Sequence, residues 1–371
     1  LTDNKSLPDI PDITSQPSDT AIIMFTSGTT SYSKGVMMTN YNTMHAINVY
    51  KKIFCITPDD ITLIPVPIYH VTGLIGLLGL FLSAGGCVIL HKFFDARRIL
   101  RDVSQYEVTF IHAAPTVFSM LLEQKNDFQN LASLRLMACG SSNMPAKKIQ
   151  ELKEWIPQAE FRTVYGLTET SSPATIFPCD VSQSPYIGSS GQPVPGTIFK
   201  IVSEDNEPLP FNRVGTILIK GSVVTPGYYI QKPFFLEDGW LDTGDLGYFN
   251  EEGYLYIVDR KKDMINRGGE KVCSIDVENT LYDIPDITEA AVVGIPNEKY
   301  GEVPAAMICL KEGSTLNPDK LHMILKEKLA SFQIPAFFLI TDSLPLTPNS
   351  KIDKKKIRQL LSQNFSNGGK K

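Results

Sequence analysis

Residues 108–124 read VTFIHAAPTVFSMLLEQ. VTFI is short, apolar, and β-branched or aromatic, as a buried strand is; PTVFSMLLEQ is longer and carries proline at a plausible first helical position. The same unit recurs on both sides. Upstream, IIMF (22–25) leads through a Gly/Thr/Ser loop to a helix from about Asn40, ITLIP (61–65) leads to a glycine-rich apolar helix, and CVIL (87–90) precedes DARRILRDVSQY (95–106). Downstream, LRLMAC (134–139) precedes PAKKIQELKEWI (145–156). Strand alternating with helix predicts an α/β fold, with a mainly parallel sheet covered on both faces.

After about Gly188 the texture changes to short strands punctuated by Gly and Pro: GTIFKIV, VGTILIKG and GYLYIVD. That pattern predicts a small β-rich subdomain. Beyond the charged link DRKKDMINRGGEK, a helix near Ser274–Tyr282, strands AAVVG and AAMICL, a helix PDKLHMILKEKLA, a strand FFLI and a last helix from Asp353 predict an α+β unit of independent-domain size. The expected organisation is a linker over 1–20, a large domain over 21–259 whose β-rich part spans about 188–259, and a C-terminal domain over 260–371.

One stretch competes with this reading. VTGLIGLLGLFLSAGGCVIL (71–90) is twenty residues without a charge, long enough to span a bilayer. Its five glycines and the breaking SAGG point instead to a buried helix followed by a buried strand. No transmembrane segment is expected. A net charge of −5 argues against a nucleic-acid partner. Six cysteines without a C-x-x-C pair, some inside apolar runs, read as reduced and buried thiols, hence a cytoplasmic protein. The chain opens at Leu1 on a Pro/Asp/Ser-rich stretch without a targeting pattern, which reads as a linker or a cut.

FTSGTTSYSKG (25–35) offers backbone N–H groups, hydroxyls and one ammonium with little side-chain obstruction, the groups that hold a polyphosphate. It is not the Walker loop, whose glycine and lysine spacing it does not match. YGLTETS (165–171), WLDTGDLG (240–247), DRKKDMINRGGEKV (259–272) and PLTPNSKIDKK (345–355) follow in order. Together these five motifs closely resemble those of the adenylate-forming superfamily, which includes acyl-CoA synthetases, aryl-CoA ligases, luciferases and peptide-synthetase adenylation domains.

The resemblance implies a layered α/β/α large domain and a mobile C-terminal domain, with ATP, Mg2+ and coenzyme A as cofactors and co-substrates. It implies that Thr26, Ser27, Gly28, Thr29, Thr30 and Lys34 wrap the β- and γ-phosphates, that Thr168 and Glu169 meet the α-phosphate and Mg2+, and that Tyr165 and Gly166 lie by the adenine. Gly140 and Ser141 of CGSS would border adenine and acyl group, and Asp245, assisted by Arg260, would take the ribose hydroxyls. Lys351 would bridge carboxylate and α-phosphate. Lys262 would be the hinge of a domain rotation after which Gly268 and Gly269 line the thiol's tunnel.

His70, in PIYHVTGL, falls at the start of the acyl pocket, where amino-acid-activating relatives carry an aspartate; an imidazole cannot replace that carboxylate facing an ammonium. A fatty or other apolar acid is the expected substrate class, an aryl acid the next, with the glycine-rich helix leaving room for a tail. Free coenzyme A is the expected acceptor, a carrier protein the alternative, and a weakened nucleotide-binding relative a third reading.

Two departures stand out. Relatives begin well upstream of the phosphate loop, so the N-terminal part of the fold is expected to be missing. The usual loop TSGTTGxPKG has become TSGTTSYSKG: Ser31 and Ser33 replace a glycine and a proline, each expected to weaken phosphate binding by about 1 kcal/mol.

Overall fold

A computed structural model describes residues 14–26, 34–230, 236, 238–348 and 350–368. The strand-then-helix units assemble into a seven-stranded sheet in the order Cys87–Leu90, Ile61–Ile64, Phe110–Ala113, Leu136–Cys139, Glu160–Tyr165, Thr175–Ile176, Gln192–Pro193. The first five strands run parallel and the last two turn back antiparallel. Alternate residues of the central strands feed two different cores. Phe110, Leu136 and Ala138 pack with Tyr50, Phe54 and Phe81 on one face, while Ile111, Met137 and Cys139 pack with Phe118, Leu152 and Phe161 on the other. That two-sided burial explains why these strands read as continuous apolar runs.

Three differences from the sequence expectation have identifiable causes. The strand Thr20–Thr26 does not lead directly to a helix: it pairs antiparallel with Lys34–Thr39, which pairs in turn with Gly227–Tyr228. The helix Asn40–Ile53 follows that second strand and starts, as expected, at Asn40, where Thr39 forms its capping box with Asn42. The apolar stretch 71–90 becomes two short α-helical pieces flanking a wider π-helical turn at Leu74–Gly79, then an edge strand at Cys87–Leu90 whose ends are exposed rather than buried. No helix of the described residues is long and apolar enough to cross a membrane.

Its glycines allow close packing rather than leaving space. A Cβ at Gly73 would lie 2.4 Å from the Pro67 carbonyl oxygen, one at Gly79 3.0 Å from Ile47, and one at Gly76 3.3 Å from the His112 ring. The third difference concerns the cysteines: Cys139 and Cys309 are buried, but Cys55, Cys87 and Cys179 are exposed at loop and edge positions.

Thr197–Val202, Gly215–Gly221, Leu241–Phe249 and Leu255–Arg260 form a four-stranded antiparallel sheet. The remainder builds a five-stranded sheet around the long hairpin Ile287–Asn297 and Gly301–Leu310. It too is buried on both faces: Ala290 and Val292 meet the helices Ser274–Tyr282 and Pro318–Lys326, whereas Ala291 and Val293 meet Ile357 and Leu361 of the helix Lys354–Gly368.

Asp60 ties together the parallel sheet at one end of its strands. Its carboxylate accepts from the Arg135 guanidinium at 2.7 and 2.8 Å, from the Thr109 hydroxyl at 2.7 Å and from the Thr57 amide at 2.9 Å, while its carbonyl accepts from Cys87. Arg135 also donates to the carbonyls of Phe54 and Cys55 just past the helix Asn40–Ile53. Burial pushes the Asp60 carboxyl up, but these donors outweigh it and hold it at about 2 against an ordinary 3.8. Its contribution to stability is therefore full above the ordinary carboxylate value and lost as pH falls toward 2. Asp60→Ala, which leaves Arg135 and Thr109 without their acceptor, is expected to lower the unfolding free energy by about 3 kcal/mol in urea titrations at neutral pH. A midpoint unchanged from the parent would remove Asp60 from this role.

Candidate active site

The turn after the strand Glu160–Tyr165 carries Thr168 and Glu169 in one 3-10 turn. Ser171 and Ser172 follow at φ of 53° and 34°, left-handed backbone that costs a non-glycine residue about 1 kcal/mol or more. The turn is held in that shape by its neighbours. The Thr170 hydroxyl accepts from the Leu167 amide at 2.9 Å, Ser172 N donates to the Leu167 carbonyl at 3.2 Å, and buried Tyr50 shares a 2.9 Å hydrogen bond with the Ser172 hydroxyl. Gly166 suits this closure, because a Cβ there would press on Ala174 N at 3.2 Å and on Ser172 Cα at 3.3 Å.

Glu169 is held from the other side. Its Oε1 accepts from the Tyr228 hydroxyl at 2.8 Å, its carbonyl accepts from Thr225 N at 2.9 Å, and the Lys34 ammonium stands 5.1 Å from the centre of the Tyr228 ring. Tyr228 and Thr225 were not singled out in the sequence. The only cue is TPGYY (225–229), whose glycine takes φ of 142° at the start of the two-residue strand Gly227–Tyr228. Lys34 and Thr26 face each other as the last paired residues of their two strands, at the mouth of the expected phosphate loop. Ser27, Gly28, Thr29, Thr30, Ser31 and Ser33 lie outside the described residues.

Asp245 is a strand residue, 3 % exposed, and stands opposite Arg260 across the antiparallel pair. Its two oxygens are divided between Arg260 Nε at 3.1 Å and the Tyr165 hydroxyl, which donates at 2.9 Å. Burial raises its carboxyl, and Arg260 and Tyr165 pull it back down. A buried carboxylate oriented by a phenol and a half-exposed guanidinium suits recognition of paired hydroxyls, and differs from an ordinary solvated turn aspartate.

Lys351 reaches this group from the C-terminal unit. Its turn is docked where the Thr116 hydroxyl donates to the Ser350 carbonyl, and Tyr69 donates to the Pro348 carbonyl at 3.4 Å. Inside the turn Thr347 N donates to the Lys351 carbonyl at 2.7 Å, and Lys351 N donates to the Thr347 hydroxyl at 3.2 Å. Burial pushes the ammonium down to about 8; Arg260 adds to this and Asp245 opposes it. Lys351, Arg260 and Asp245 thus share one electrostatic environment.

His70 completes it. Burial first, and Lys351 second, depress its imidazolium to about 4, so the ring is neutral at pH 7. Its Nδ1 accepts from Thr72 N at 3.3 Å, which leaves the proton on Nε2 and makes His70 a donor. Behind it, His112 is fully buried, with its Nδ1 toward Gly76 and its Nε2 toward Gly140. Ser141 follows Gly140 at φ of 75°.

The remaining expected residues stand apart. Lys262 is exposed in the turn after Arg260, close enough to influence Asp245. Gly268 and Gly269 form the tip of the hairpin Ile265–Arg267 and Glu270–Val272 at φ of 62° and 99°, where they bond to the Tyr300 carbonyl and the Asn266 side chain. Among the described residues no cluster of three or more His, Cys, Asp or Glu side chains forms a metal cage. A single carboxylate such as Glu169 is enough for Mg2+, which keeps water or substrate oxygens as most of its ligands.

Comparison with known proteins identifies the family. The family model described as AMP-binding enzyme matches residues 2–229, and that described as AMP-binding enzyme C-terminal domain matches residues 276–351. The chain is 34% identical over 359 residues to an oxalate–CoA ligase of Arabidopsis thaliana, covering 94% of this chain and 69% of the relative. It is 33% identical to a feruloyl-CoA synthase of Amycolatopsis, covering 94% and 71%. ATP-bound MatB from Rhodopseudomonas palustris superimposes with a TM-score of 0.86 at 29% identity, over 95% of this chain and 70% of that one. The o-succinylbenzoate coenzyme A synthetase of Bacillus subtilis in complex with ATP and magnesium gives 0.80 at 32% identity, over 93% and 70%. The chain therefore belongs to the AMP-binding enzyme family, as an AMP-forming acid–thiol ligase that uses ATP, Mg2+ and coenzyme A.

Proposed function

We propose that Lys351 brings the carboxylate and the α-phosphate of ATP together, with Arg260, Thr168 and His70 supplying further charge and hydrogen bonds. The observation that carries this reading is the delivery of one lysine, from a separately built core, to the side of Arg260, Asp245 and His70. In the first half-reaction a carboxylate oxygen attacks the α-phosphorus and the bond to pyrophosphate breaks, its electron pair leaving with pyrophosphate. Two anions must meet, so fixed positive charge in a water-poor site is the main need, and no general base is required.

In this reading Asp245, pre-set by Tyr165, takes the ribose hydroxyls, and Gly140, Ser141 and Gly166 border the adenine. Thr26 and Lys34 flank the β- and γ-phosphates at the mouth of the loop. Glu169, held by Tyr228, is the carboxylate for Mg2+, which when bound supplies positive charge to the triphosphate. His70 donates its Nε2–H to the carboxylate of the acid rather than acting as a base. In the second half-reaction the thiol gives up its proton, sulfur attacks the acyl carbon and AMP leaves. The relatives' names as CoA ligases support coenzyme A as the acceptor over a carrier-protein arm. The hinge at Lys262 and the tunnel role of Gly268 and Gly269 belong to the same reading, since Lys351 and the thiol approach one face.

The acid is taken to be compact or aromatic. A fatty tail would need space beside the glycine-rich helix, and the His112 ring, Ile47 and the Pro67 backbone fill it. The names oxalate–CoA ligase and feruloyl-CoA synthase of two relatives support the same choice.

Three outcomes test this reading. Lys351→Ala should abolish ATP–pyrophosphate exchange yet leave thioester formation from supplied acyl-adenylate within about twofold of the parent; equal loss of both would sink the assignment. In the free enzyme the active, charged form of Lys351 is lost as pH rises through about 8, so kcat/KM for ATP should fall above that pH, and Lys351→Arg should move the limb upward. A profile flat to pH 10 would contradict it. Across an acid panel, short or aryl acids should exceed long-chain fatty acids in exchange rate by about tenfold or more. A long-chain acid as the best substrate would reverse the choice.

A further inference from the structure

Away from the reacting groups, the large unit and the C-terminal unit meet through one nearly dry ion pair. Lys148, on the helix Ala146–Trp155, is only 8 % exposed and contacts Glu289 Oε1 of the strand Ile287–Asn297 at 2.6 Å. The Lys148 ammonium also donates to the Ser119 hydroxyl and lies 4.9 Å from the centre of the Tyr282 ring. The Tyr282 hydroxyl donates to the other Glu289 oxygen at 3.2 Å. Lys147 donates to the Tyr282 carbonyl at 3.1 Å, and Asn143 to Asn279 at 3.1 Å.

The partner of Lys148 in the large unit explains why this matters for catalysis. Ser119 sits on the helix Pro115–Leu122, the same helix whose Thr116 holds the Ser350 carbonyl next to Lys351. One helix therefore carries both the ion-pair contact and the contact that seats the catalytic turn. Thr116 and Ser119 lie about one turn apart, the first bonded to the C-terminal unit directly and the second through the Lys148 ammonium.

We propose that Lys148 and Glu289 are positioning residues, a latch that holds the C-terminal unit in the orientation that places Lys351 in the site, and that this latch favours adenylation over thioester formation. This rests on the role of Lys351 proposed above. In the docked orientation each charge is largely removed from water, so removing one member leaves the other unpaired there and disfavours that orientation more than loss of an exposed pair would. Neither residue touches the reacting atoms.

The half-reactions distinguish this from simple scaffolding. Lys148→Met, which keeps the aliphatic stem, and Glu289→Gln, which keeps the volume, should each lower the rate of pyrophosphate exchange about tenfold, within the range of a coupling between two sites. Thioester formation from supplied acyl-adenylate should stay unchanged or rise. The exchanged pair Lys148→Glu with Glu289→Lys should recover part of the loss. Melting curves accompany each variant, and Glu289→Gln is the one read if Lys148→Met does not fold. Equal loss in both half-reactions, or parental exchange in a folded single variant, overturns the latch. Lys351→Ala is run alongside: exchange surviving there overturns the Lys351 reading itself, a result independent of how the latch variants behave.

Discussion

Two negatively charged reactants have to touch in this reaction, and the molecule is organised around that repulsion. The carboxylate and the triphosphate each bring their own charge, so cationic groups must be fixed where water is scarce. Arg260 is fixed by Asp245 across a strand pair, and Lys351 is brought in from another core. His70 is kept neutral by the same burial and the same lysine, which suits the hydrogen-bond donor proposed for it. Each of these states depends on the other groups being in place.

The scaffold supplies that placement with two sheets that are buried on both faces. Double burial makes each sheet rigid, since alternate residues are locked into separate cores. The site forms at the ends of strands from the large unit, where Ala113, Cys139 and Tyr165 finish and the loops carrying Thr116, Gly140 and Glu169 begin. Among the described residues the contacts between the units include polar pairs such as Lys148 with Glu289, Asn143 with Asn279 and Thr116 with Ser350. Polar interfaces of this kind are typical of domains that can move relative to one another.

Much of the fold was legible in the chain. The parallel strands, the helices from Asn40, Ser274 and Pro318, and the change to antiparallel strands after Gly188 follow from apolar period and punctuation. Periodicity could not show that the strand Thr20–Thr26 turns back on Lys34–Thr39, because a hairpin and a strand–loop–helix unit share the same glycine and hydroxyl signals. Nor could it show whether the glycines at 73, 76 and 79 leave space or admit neighbours, since a missing Cβ serves either purpose.

Sequence alone determined the chemistry available: Lys351, Glu169, Asp245 and Arg260 stand in motifs whose order and residue types fit adenylation. Their partners were a tertiary matter. Tyr165 on Asp245, Tyr228 on Glu169 and Lys148 on Glu289 pair residues 80, 59 and 141 positions apart. No local pattern encodes such pairs, because a hydrogen bond or ion pair depends on distance in space, and only the packing of the separate cores fixes that distance.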